Sequence, residues 1–158
     1  MAQRGETFVT RKITMGACQI KKGVKDCLHV GNLDVKRDWG YAPEYCHGMW
    51  EIMQQKNPED YVLATGSAHS VREFIELAFN ELEIKIEWSG SGLNEIGRNI
   101  KTGQTIIKVD SKYFRPTEVE LLVGDASKAK KRFNWKPKTQ LHDLVKIMVS
   151  ADWDLLNK

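Results

Sequence analysis

The stretch from Tyr61 to Trp88, YVLATGSAHSVREFIELAFNELEIKIEW, sets three differently patterned segments end to end. YVLATG is a continuous apolar run closed by Gly66, the form of a strand buried on both faces in a parallel sheet. Ser70 with Glu73 three residues later is a capping box, and Val71, Phe74, Ile75, Ala78 and Leu82 then share one helical face. Ile84, Ile86 and Trp88 alternate with Lys85 and Glu87, a half-buried strand that SGSG breaks. Strand, helix and strand in this order commit the chain to an α/β or α+β arrangement.

The flanking segments fit that frame. Val9, Ile13, Ala17 and Ile20 recur at helical spacing and Gly23 stops them, so a helix is expected from about Thr10 to Lys22. CLHVGN reads as a short strand. Pro43 can occupy a first helical turn, and Tyr45, Met49, Ile52 and Met53 form the apolar stripe of the helix that follows, ended by NPED. Asn94 to Val109 reads as a surface excursion with a hairpin turning at Lys101-Thr102-Gly103 and closing on TIIKV. Asp125 can cap a helix through Ala126 to Phe133, and Thr139 a last one carrying Leu141, Leu144, Val145, Met148 and Val149. Trp50, Trp88 and Trp135 are expected as core or stacking anchors.

At 158 residues, 41% hydrophobic and 28% charged, the chain has the make-up of one globular unit. No apolar run approaches the roughly 18 residues of a membrane span, so no membrane partner is expected. The N-terminus lacks the apolar core of a secretory signal. Cys18, Cys27 and Cys46 are odd in number and without CxxC spacing, which fits free thiols in a reducing, cytoplasmic setting. The net charge of +3, from 24 Lys and Arg against 21 Asp and Glu, does not call for nucleic acid. The densest basic run, Lys128 to Lys138, reads as a solvated helix face. His29, His47, His69 and His142 lack metal-ligand spacing, and no nucleophile–base pair is visible, so neither a metal nor a catalytic residue is assigned.

Three stretches concentrate polar chemistry beside turns. In RGETFVTRK, Arg4, Arg11 and Lys12 bracket a helix start, where backbone N–H groups and cations can jointly hold an anion. GNLDVKRDWG offers Arg37 beside Asp38 and Trp39 at a strand exit. In KYFRPTEVELLVGD, Pro116 restrains Arg115 to an extended backbone and Glu118 follows three residues on. An arginine fork grips phosphate oxygens in pairs, and a nearby carboxylate accepts from ribose hydroxyls, so the groups together suit a nucleotide diphosphate.

GETFVTRKIT, GNLDVKRDWG, ATGSAHSVREF and YFRPTEVELLVGDASKAKKRFNWKP resemble the GDP-mannose 4,6-dehydratases, NADP-dependent members of the extended short-chain dehydrogenase/reductase group. The likeness runs from about Arg4 to Leu155. It implies the C-terminal, substrate-binding portion of a Rossmann-type α/β enzyme, with residues 1–158 as one partial unit. The family's Gly-rich dinucleotide fingerprint and its Tyr-x-x-x-Lys pair have no counterpart here: none of Tyr41, Tyr45, Tyr61 and Tyr113 has a lysine four residues later. The chain is therefore expected to be inactive alone, with a separate N-terminal half and further copies of itself as partners. YVLATG is expected to lie in the sheet of that absent half, so that the chain alone exposes that surface or an edge and associates. By resemblance, Arg4 reaches the NADP phosphate near a subunit contact, Val9 and Lys12 line the nucleotide end of GDP-mannose, Arg37 and Arg115 clamp its diphosphate, Glu118 takes the ribose and Asn32 belongs to the same pocket. Met15-Gly16 stands where an arginine is common, and YAPEY replaces His-Ala-Lys-Asp-Tyr. The competing reading is a non-enzymatic regulatory module that keeps the fold, or a weak nucleic-acid binder using Lys128 to Lys138.

Overall fold

A computed structural model describes Gly5 and residues 8–117 and 119–158. Helix α1 (Val9–Lys21) buries Ile13, Ala17 and Cys18 and ends before Gly23, whose φ of 74° turns the chain away. Strand β1 (Leu28–Val30) follows, then β2 (Lys36–Arg37), α2 (Ala42–Met53), β3 (His69–Ser70) and α3 (Val71–Asn80). β4 (Ile86–Ser89), a 3-10 turn, β5 (Ile96–Asn99), β6 (Thr105–Val109), β7 (Leu121–Leu122), α4 (Ser127–Phe133) and α5 (Leu141–Leu156) complete the order. A four-stranded sheet runs β1-β6-β5-β4, parallel between β1 and β6 and antiparallel elsewhere. A small second sheet, β3-β2-β7, stands beside it.

One apolar cluster joins α1, α3 and α5 to the four-stranded sheet: Ile13, Phe74, Phe79, Ile107, Leu144 and Met148 all sit in it without exposure. Ser70 caps α3 as its spacing requires, its hydroxyl accepting the Glu73 N–H at 3.1 Å. The reciprocal half of the capping box does not close, because the Glu73 carboxylate turns to His69 Nδ1 at 2.9 Å. The hairpin at Gly103 forms with φ at 73°, and Gly103 N–H donates to Asn99 O. Its second arm is no surface excursion. TIIKV is an inner strand held between β1 and β5, with Ile106 and Ile107 buried.

YVLATG is not a strand within this chain. Residues 61–66 form no ladder among the described residues, Val62 is 52% exposed and only Ala64 is buried. The backbone N–H groups of Thr65 and Gly66 instead donate to the Asp38 carboxylate, each at 3.0 Å. An apolar run becomes a strand only where a neighbour supplies the ladder, and no strand among the described residues does. The α2 stripe is covered only in part, Tyr45 stacking edge-on against Trp135 with ring centroids 5.6 Å apart. Met53 is 80% exposed, and Met49 and Trp50 also face outward, so Trp50 is no core anchor and instead stacks edge-on with His47, ring centroids 5.9 Å apart. α2 seats itself through Gly48, where a Cβ would come within 2.6 Å of the buried Trp135 Nε1. Thr139 does not cap α5; with the backbone N–H groups of Lys138 and Thr139, its hydroxyl donates to Glu44 Oε1.

A buried ion pair ties the first helix to the last. Arg11 Nε lies 2.8 Å from Asp152 Oδ1, and Thr14 Oγ1 donates to Asp152 Oδ2 at 2.6 Å, with Asp152 wholly enclosed. Arg11 is thus a packing group and not an anion ligand. Cys18 sits one turn further along α1, where burial, and then the nearby Asp152 charge, push its thiol up to about 12 and leave it unreactive. Removing one member of such a pair strands the other charge in the core, so Asp152→Ala should lower stability by about 3–5 kcal/mol. Urea denaturation checks this, and a loss below about 1 kcal/mol would rule out Asp152 as the tie.

Candidate functional site

Lys12 from the first turn of α1, Arg37 from β2 and Arg115 from the loop after β6 converge on one cleft of about 310 Å³, whose walls include Val9, Asn32 and Tyr113. Five of the seven residues singled out in the sequence therefore meet in space: Val9, Lys12, Asn32, Arg37 and Arg115. Arg4 and Glu118 lie outside the described residues.

Each group is placed by its own element. The amphipathic pattern of α1 puts Ile13 and Ala17 into the core and leaves Val9, 38% exposed, and Lys12 at the mouth. The Lys12 ammonium sits 3.2 Å from the centroid of the Tyr113 ring. Burial, then repulsion from Lys25 and Lys112, pull its pKa below the ordinary 10.5, and Asp110 offsets part of this. Arg37 projects from β2, and its Nη1 donates to the carbonyls of Lys36 and Val119 at 2.8 and 2.7 Å. The guanidinium is thereby fixed before any ligand arrives. Asp38 beside it faces the other way, gathering N–H groups from Thr65, Gly66 and Gly124 and the Thr65 hydroxyl, which pins two loops behind the site. Trp39 packs edge-on against Phe74, their ring centroids 5.1 Å apart, and so belongs to the core side.

The loop carrying Arg115 is stitched to β1. Asp110 N–H donates to Val30 O, Tyr113 and Phe114 N–H return to Asp110 O, and Asp110 Oδ1 accepts from Lys112 N–H. A Cβ on Gly31 would overlap the Tyr113 carbonyl, so glycine is required for the loop to lie this close. Asn32 then binds the Arg115 backbone twice, Oδ1 accepting its N–H at 2.8 Å and Nδ2 donating to its carbonyl at 2.9 Å. The Arg115 side chain is exposed, with no protein partner for its guanidinium among the described residues. Lys12, partly desolvated and repelled by Lys25 and Lys112, is relieved by an anion with several oxygens that Arg37 and Arg115 can share.

Tyr113 and Gly31 were not singled out in the sequence. Their signals were present, a glycine directly after a strand and an aromatic two residues before Arg115, but only the fold brings them to Lys12. Part of the basic run is paired: Lys128 and Arg132 both meet Glu59 at 3.0 Å, and Ala129 faces the interior, so α4 shows a solvated outer face.

The family model described as GDP-mannose 4,6 dehydratase matches residues 2–148. The GDP-mannose 4,6-dehydratase of Sinorhizobium fredii is 52% identical over 97% of this chain and 44% of its own length. Those of Drosophila melanogaster and Homo sapiens are each 49% identical, over 99% and 98% of this chain. The chain spans 40% and 41% of these two relatives' lengths. Among solved structures, RMD from Pseudomonas aeruginosa complexed with NADPH superposes with a TM-score of 0.76 at 18% identity, covering 96% of this chain and 44% of the other. A dTDP-glucose 4,6-dehydratase from Bacillus anthracis in complex with NAD gives 0.68 at 15% identity, covering 98% and 41%. These neighbours share the fold of the C-terminal portion of extended short-chain dehydrogenase/reductase enzymes.

The Lys12 environment yields a titration test. Between its lowered folded pKa and 10.5 the unfolded chain holds the proton more tightly, so stability rises with pH across that window; at neutral pH the charged Lys12 is a strain that a bound anion relieves. NMR of isotope-labelled lysine should show Lys12 titrating below the ordinary range and moving upward when pyrophosphate is added. A midpoint that ignores pyrophosphate would separate Lys12 from anion binding.

Proposed function

Because the chain belongs to the GDP-mannose 4,6-dehydratase family, we propose that the cleft of Lys12, Arg37 and Arg115 receives the diphosphate of GDP-mannose. The observation that carries this reading is the meeting of three cations from separate segments in one cleft. Arg37 and Arg115 grip the phosphate oxygens, the one already fixed by carbonyls and the other reaching in from the loop. Lys12 adds a point charge whose neighbours make it eager for an anion. Val9, at the start of α1, lies along the nucleotide end, and Glu118 takes the ribose hydroxyls. The family's chemistry is that of a lyase, and the sugar is held here for a dehydration completed by groups beyond this portion.

NADP is the cofactor the family implies. Its pyrophosphate is held by a tight glycine turn running into a helix N-terminus, where a Cβ would collide. α1 opens instead on Phe8 and Val9, and Arg4, the residue assigned to the NADP phosphate, lies outside the described residues. The described residues do not fit the cofactor's cradle. A separate N-terminal half and further copies of the chain are the partners in this reading. The uncovered apolar groups favour them: Val62 on the unpaired run, Met49 and Met53 on α2, and Leu121 and Leu122 on the edge strand β7.

Calorimetric titration with GDP is the test. Binding is expected to be weak in the chain alone, and Arg37→Ala or Arg115→Ala should each reduce it about ten- to a hundredfold, the loss of one charge-assisted bond of about 1.5–3 kcal/mol. Guanosine should not distinguish the variants. Unchanged GDP binding in both variants would overturn the diphosphate assignment. Sedimentation should also show concentration-dependent association, and a strictly monomeric chain at every concentration would count against the uncovered surfaces as docking faces.

A further inference from the structure

The two arginines of the cleft are held in different ways. Arg37 is braced through its own guanidinium, on the carbonyls of Lys36 and Val119. Arg115 has no such brace among the described residues, and its placement depends on its backbone. That backbone is restricted on one side by the ring of Pro116, which disfavours helical geometry at residue 115 and supplies no N–H. On the other side is Asn32. A primary carboxamide has the same planar donor and acceptor layout as a peptide group, and Asn32 uses both ends on one residue: Oδ1 takes the Arg115 N–H and Nδ2 gives to the Arg115 carbonyl. Gly31 permits the approach by leaving room for the Tyr113 carbonyl. Asn32 thus fastens the last turn of the loop to the exit of β1.

We propose that Asn32 is a positioning residue, whose amide clamps the Arg115 backbone by both its N–H and its carbonyl so that the Arg115 guanidinium is presented to the anion cleft. It acts through Arg115 and not by touching the ligand. The proposal rests on the diphosphate reading of the cleft. It separates Asn32 from the cations lining that cleft, since both polar ends of its side chain are spent on the Arg115 backbone. Aspartate at this position would keep the acceptor for the N–H but set a carboxylate oxygen against the Arg115 carbonyl, so only asparagine satisfies both contacts with a side chain of this length.

The experiment is a double-mutant cycle on this chain, with GDP as the probe and guanosine as the control. Asn32→Ala should weaken GDP binding about tenfold, in line with two lost neutral hydrogen bonds, and leave guanosine binding unchanged. In an Arg115→Ala background the same substitution should weaken GDP no further, because the residue through which it acts is gone. Losses that add would place Asn32 on the ligand and overturn the proposal, as would an equal loss of guanosine binding. Hydrogen exchange supplies a readout that does not depend on ligand. The Arg115 amide should be protected in the parent chain and exchange about tenfold faster in Asn32→Ala, while the amides of β6 keep their protection. If the parent chain fails to bind GDP, the diphosphate reading falls. The clamp is then judged on exchange alone: loss of protection confined to the Arg115 loop upholds it, and an Arg115 amide indifferent to the substitution refutes it.

Discussion

The ion pair between Arg11 and Asp152 is the constraint on which the placement of everything else rests. Helices α1 and α5 are separated by almost the whole chain, yet Asp152, wholly enclosed, takes Arg11 on one oxygen and the Thr14 hydroxyl on the other. A charge in such a place is tolerated only when paired, so the register of α1 against α5 is fixed to within a hydrogen bond's length. Lys12 follows Arg11 directly, and so its direction is set by the same lock. Of the two adjacent cations at the helix start, Arg11 is the anchor and Lys12 is left to face the cleft.

The cleft is assembled on the same principle of separate supports. α1 brings Lys12 on a helix packed into the core, β2 brings Arg37 on a strand held by β3 and β7, and the loop after β6 brings Arg115 on a backbone fastened to β1. No one of these supports depends on the ligand, which means the charges are brought together before it arrives. Half-burying Lys12 near Lys25 and Lys112 costs stability through desolvation and repulsion, visible in its lowered pKa. That cost is recovered on binding an anion, which is how a preformed site turns stored repulsion into affinity.

Elements whose signals are local were legible from residue order. The α3 start rests on Ser70 bonding a backbone group three residues away, and the hairpin rests on Gly103 accepting a positive φ, so neither needs distant chain. The apolar run of residues 61–66 misled because hydrophobicity records a demand for cover without saying what answers it. TIIKV misled in the opposite direction: five residues of alternating character next to a turn look peripheral, and they become central only because β1, far earlier in the chain, lies parallel to them. Thr139 had the chemistry of a cap but found Glu44 closer.

Among the site residues, the residue types and their motifs marked Lys12, Arg37 and Arg115 as anion-seeking, and the resemblance grouped them. Their identity as cations, the extended backbone imposed by Pro116 and the helical phase of α1 are properties of short stretches, and residue order alone settles them. Which cation stays free for a ligand is not such a property. Arg11 and Lys12 are adjacent and similarly charged, and only the position of Asp152 on α5 assigns one to the core and the other to the cleft. The same holds for Asn32, a polar residue after a strand like many others until the loop of Arg115 closes upon it. Side-chain roles here follow from which partners lie within about 3 Å, a distance that packing between remote segments sets and that no local pattern encodes.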